Sequence, residues 1–124
     1  MNKKERPILK NLIKEGTSDL EYFQNITIRP IIKMQHHLLI LSLNNYLKKR
    51  KISLENLSDI QIINKINSII NKDISYRNIC LGFVIGHFSS KEYMYYINHS
   101  SEIHKRIIKI IHKRFEDSLN EILI

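Results

Sequence analysis

Apolar residues recur along this chain at steps of three and four. Tyr93, Ile97, Ser100, His104, Ile107, Ile111, Phe115 and Leu119 follow that rhythm. It predicts a long amphipathic helix from about residue 90 to Leu123, with Asn98-His99-Ser100 as a candidate break. Ser89 and Glu92 have capping-box spacing at its start. Ile31, Ile32, Leu38, Leu39, Leu43, Tyr46 and Leu47 share one face and predict a helix from about Pro30 to Lys51. Pro30 suits a first turn but disfavours helical geometry at Arg29. A short helix opened by Ser18 and Glu21, with Leu20 and Phe23 inward, is therefore expected to stop near Thr27. Ser58 precedes a helix over about 59–71 with Ile60, Ile63, Ile66, Asn67 and Ile70 inward. A further helix over 74–88 is apolar nearly all round between Ile79 and Ile85 and is expected to be the most buried element. Gly82 and Gly86 lie four apart, which suits close packing within the chain. No stretch alternates with period two. The fold class is all-α: an antiparallel bundle of four to five helices with a long C-terminal helix.

The domain reading is a basic N-terminal lead over 1–17 and one bundle over 18–124. Ile8, Leu9, Leu12 and Ile13 give the lead a weak helical spacing, with Gly16 as its stop. The 124 residues suffice for one core, and 43% are hydrophobic. Only three glycines and two prolines are present, which disfavours multi-strand turn systems. The single cysteine, Cys80, excludes an intrachain disulfide and fits a reducing compartment. The charged first residues lack a signal-peptide core, and the longest apolar run falls far short of the ~20 residues that span a bilayer. A cytoplasmic location is expected.

Common catalytic constellations are missing. The six histidines include no H-E-x-x-H pair, and there is no second cysteine for zinc. Paired Glu-x-x-His motifs, a G-x-S-x-G elbow and a Gly-rich phosphate loop are also missing. No metal or cofactor is expected. Cys80, among Ile79, Leu81, Phe83 and Val84, reads as an inert core thiol.

Two sets of polar residues remain. Gln24, Asn25, Arg29, Lys33 and Gln35 surround the Pro30 junction, and Arg77 and Asn78 open the apolar helix. They form either a satisfied network, with Glu92 pairing to Arg77, or an interhelical pocket holding an anion. The second set is basic. Lys48, Lys49, Arg50 and Lys51 form a run, while Lys105, Arg106, Lys109 and Lys113 form a ridge with Arg114. The formal net charge is +8. Such a surface suits an acidic partner, with RNA or a ribonucleoprotein the leading reading, and Tyr93, Tyr95 and Tyr96 as candidate stacking groups. A small-anion binder or enzyme, and a homodimeric interaction module, are the alternatives.

The stretch Phe23-Gln24-Asn25-Ile26-Thr27-Ile28-Arg29-Pro30-Ile31-Ile32-Lys33-Met34-Gln35 resembles the hallmark of a small bacterial family whose members often carry the name glyoxalase. Tyr76-Arg77-Asn78, Gly82 to Phe88, Glu92-Tyr93 and Asn98 to Ser101 are also similar to that family, although His87 stands where its pattern has Gln. The name implies a methylglyoxal-detoxifying enzyme. The residues carry neither the strand-borne His/Gln and Glu ligands of the metal-dependent glyoxalases nor the T-H-x-H-x-D-H motif of the hydrolase. The resemblance places Gln24, Asn25, Arg29, Pro30, Lys33, Gln35, Arg77 and Asn78 among the family's hallmark residues and identifies no ligand.

Overall fold

A computed structural model describes residues 18–122. The proposed lead over 1–17 lies outside the described residues. Those described are all-helical, with no strand among them. Seven α-helices follow in order: α1 (Asp19–Phe23), α2 (Arg29–Met34), α3 (His36–Lys49), α4 (Asp59–Lys72), α5 (Ile74–Ile85), α6 (Ser90–Ile97) and α7 (Ser100–Glu116). A π-helical turn, Gln24–Ile28, joins α1 to α2, and a 3₁₀ turn, Leu119–Glu121, follows α7.

The count exceeds the expected four to five because the expected helices over Pro30–Lys51 and about 90–123 are each divided in two. Three junctions therefore differ in character, and the first lies at Pro30. The chain does not stop at Thr27; it continues through a wider turn. Proline has no N–H to give the Ile26 carbonyl, and its ring crowds that carbonyl in α-helical geometry. Widening the helix relieves the conflict, and the Arg29 N–H reaches back to the Gln24 carbonyl. The second lies at Gln35, where the backbone leaves helical geometry (φ −93°, ψ 7°). The Gln35 amide donates to the Phe83 carbonyl at 3.3 Å and meets His87 Nε2 at 2.6 Å. The expected single helix from Pro30 to Lys51 is thus interrupted at Gln35, whose side chain reaches the end of α5. The third, at Asn98-His99, matches the candidate break.

Local signals fix the other ends. Ser58 with Gln61 and Ser89 with Glu92 form full capping boxes. Ser18 accepts the Glu21 N–H. α3 closes at Lys51, which takes a left-handed conformation (φ 55°). The Ile52 N–H bonds the Leu47 carbonyl and the Lys51 N–H bonds the Lys48 carbonyl, the two bonds of a Schellman cap.

α7 is the spine of the core. It packs against α2, α4, α5, α6 and the π-helical turn, burying Ile103, Ile107, Ile108, Ile111 and Phe115. Leu39, Leu43 and Leu47 of α3, Ile66 and Ile70 of α4, and Ile28, Ile31 and Ile32 complete the centre. α3 and α5 run antiparallel: Gln35 meets Phe83, Ser42 meets Tyr76 and Tyr46 meets Asp73. The expectation that α5 is the most buried element fails. Cys80, Leu81 and Val84 are buried, but Ile74 is 70% and Ile79 53% exposed. Gly82 is exposed too, and a Cβ there would meet nothing within 4 Å, so the glycine pair serves no close packing at that position. An all-apolar stretch needs neighbours on every side to be buried, and α5 lies at the surface of the bundle.

Candidate functional site

The segment from Phe23 to Gln35 supplies several of the polar contacts that join the helices. The Glu92 carboxylate accepts the Ser89 N–H at 2.7 Å through Oε1 and the Thr27 hydroxyl at 3.1 Å through Oε2. The helix-capping residue of α6 therefore also holds the π-helical turn. Phe23 stacks on Tyr95 and meets Phe88 edge-on. Arg106 of α7 donates to Gln24 Oε1 at 3.1 Å. These contacts answer why polar residues crowd the junction: buried donors and acceptors need partners, and the wider turn aims them at α6 and α7.

Arg29 is different. Its Nε donates to Asn25 Oδ1 at 3.2 Å. The side chain lines a groove of about 780 Å³ between the π-helical turn, α4 and α7. Lys109, Lys113 and Arg114 line it from α7, with Gln24 and Asn67 supplying neutral amides. Glu116 and Asp117 are its lining carboxylates, and Asp117 is engaged by Lys113 at 3.1 Å. Four cations thus face two carboxylates among the described lining residues. His112 also lines the groove, with its Nε2 buried and without a hydrogen-bond partner. Burial, reinforced by the Arg77 guanidinium, lowers the His112 pKa, while Glu116 opposes the shift.

The groove therefore unites part of each sequence set: Gln24 and Arg29 from the first, Lys109 and Lys113 from the second. Asn25 stands behind Arg29 as its positioning partner. Gln35 is turned away toward Phe83 and His87. Lys33 and Asn78 are exposed and do not line the groove. Arg77 does not pair with Glu92. Its side chain makes no hydrogen bond or ion pair among the described residues, and its charge falls on His104 and His112 of α7. Lys105 pairs with Glu102 at 3.6 Å.

The Lys48–Lys51 run lies elsewhere. Arg50 reaches Asp73 at 3.3 Å and covers the Tyr46 ring at 4.4 Å. The Tyr46 hydroxyl donates to the same Asp73 carboxylate at 2.7 Å, which lowers the Asp73 pKa. The tyrosines of α6 are largely committed as well. Tyr95 lies between Phe23 and His99, and the Tyr96 hydroxyl meets His104 at 2.6 Å. Tyr93 remains exposed at the surface.

Asn67, Ile110, His112, Glu116, Asp117 and Ser118 are groove residues that sequence reasoning did not assign to a site. Asn67 was legible only as part of the inner stripe of α4. Cys80 is fully buried, and burial pushes its thiol up to about 11. No group of three or more His, Cys, Asp or Glu side chains among the described residues could hold a metal. No described helix is long and apolar enough to cross a membrane. No family model, curated protein or solved structure matches this chain.

Proposed function

We propose that this domain binds RNA by its phosphate backbone, through the groove between the π-helical turn, α4 and α7. One observation carries the reading: Arg29 and the α7 cations Lys109, Lys113 and Arg114 converge on one concavity from distant parts of the chain. Cations on a convex helix are solvated singly. Cations facing one another across a groove place several charges within reach of consecutive phosphates. Gln24 and Asn67 add hydrogen-bonding amides without adding negative charge. The net charge of +8 favours the encounter.

Titrating a short oligouridylate against the protein at increasing salt tests this. For single strands, log affinity falls with log salt by about 0.7 per phosphate contact, so three to four contacts give a slope of about −2 to −3. Absence of binding at low salt, or binding indifferent to salt, would overturn the reading. The groove volume also lies within the range of small-ligand pockets. That observation favours a second reading, a single small anion. Affinity that does not grow from a mononucleotide to the oligonucleotide would select it.

A further inference from the structure

His112 is the groove's one histidine among its described lining residues, and its Nε2 is buried without a partner. A buried ring nitrogen without a partner costs free energy unless a ligand supplies one. The charged groups around the ring are mostly positive. Arg77 approaches from α5 and Arg29 lines the groove from α2. Lys109, Lys113, Arg114 and the opposing Glu116 come from α7 itself, and Asp117, engaged by Lys113, follows at its end. α4 and the π-helical turn contribute the neutral Asn67 and Gln24. α6 meets α7 at His104, through the Tyr96 hydroxyl.

We infer that the groove is a proton-linked anion site, in which a bound phosphate and a proton on His112 arrive together. This rests on the reading of the groove as a phosphate site. Desolvation first, and the Arg77 charge second, disfavour the protonated ring, with Glu116 opposing them. A phosphate seated among Arg29, Lys109 and Lys113 cancels part of that positive field. The protonated ring then becomes more favourable, because the anion offsets the charges that opposed it. The balance is simple: one proton is taken from solvent on binding and returned on release, and no covalent bond changes.

An oligouridylate with hydroxyl ends is the probe, because it has no group that titrates near neutral pH. Its affinity is measured at constant ionic strength from about pH 8 to pH 5. Linkage to one proton makes affinity rise as pH falls, approaching about tenfold per pH unit where His112 titrates. The slope should vanish in His112→Gln and persist in His104→Gln. The His112 ring resonance, followed by NMR in the unmutated protein, should titrate at higher pH with the oligonucleotide bound. A slope that survives in His112→Gln, or a His112 titration unmoved by RNA, overturns the inference. Salt-sensitive binding with a flat pH profile overturns the proton linkage while leaving the phosphate reading intact. No binding at any pH overturns both.

Discussion

Among the described residues, two concentrations of positive charge differ in what stands opposite them. Lys48–Lys51 is the denser in sequence. It is the end of a helix: Lys51 forms the Schellman cap, and Arg50 is held by Asp73 and the Tyr46 ring. The α7 cations are more dispersed, yet they face Arg29 across a groove. Density of charge along a chain therefore says little about a binding site. A second element that brings its own cation to the same concavity says much more.

The largest expected effect comes from removing the support of one cluster. Ile111 is fully buried on α7 between Lys109 and Lys113. Ile111→Ala should lower unfolding stability by about 2–5 kcal/mol, read from urea denaturation. A loss well under that range would show that α7 does not anchor the groove. Next in size is a matched exchange of charges. Lys109→Glu with Lys113→Glu changes net charge as much as Lys48→Glu with Lys49→Glu. The first pair should weaken oligouridylate binding about tenfold or more, since hydrogen bonds to charged groups contribute about 1.5–3 kcal/mol each. The second pair should have a much smaller effect. Equal losses would mean that net charge alone governs binding, and the distinction between the regions would collapse.

Smaller effects sharpen the contrast. Thr27→Val removes the hydroxyl that Glu92 accepts and should cost about 1 kcal/mol in thermal or urea unfolding. Lys51→Gly removes a positive charge yet should stabilise the domain by about 1 kcal/mol, because glycine enters the left-handed region without a Cβ penalty. A destabilised Lys51→Gly variant would refute the cap assignment. The last effect is one of pH. Burial first, and Arg77 second, hold the pKa values of His104 and His112 below the ordinary histidine value of about 6.5. As pH falls through about 6.5, the unfolded chain takes up protons that the folded rings refuse. Stability should therefore decline from about pH 7 toward their depressed values, then level off with respect to these groups. Urea midpoints across that interval check the sign.

Much of the helical scaffold was legible because its signals are local. Ser58-x-x-Gln61 and Ser89-x-x-Glu92 lie within single turns, and the isoleucine stripe of α7 repeats on one helix. The π-helical turn was not legible. Pro30 announces a conflict with helical geometry, and ending the helix or widening it are both local solutions; Glu92 and Arg106, far along the chain, hold the widened one. The exposure of Ile79 was hidden for a related reason, since apolarity does not say how many neighbours a helix has. The groove was half legible. Arg29 and Lys109 were each visible as candidates, but their convergence is a property of packing and has no short-range signature.

The widened turn also makes the length of this segment matter in a way that a surface loop would not. Each residue of an α-helix advances the side chains by about 100°. Gain of one residue between Gln24 and Ile28 would thus act as a phase slip between two rigid halves. With Ile31 and Ile32 kept in the core, Phe23 would swing off Phe88 and Tyr95, and Gln24 off Arg106. Insertions here should be tolerated far less well than substitutions at the exposed Ile26. A one-residue insertion would reset the angular relation between the first helix and everything that follows it.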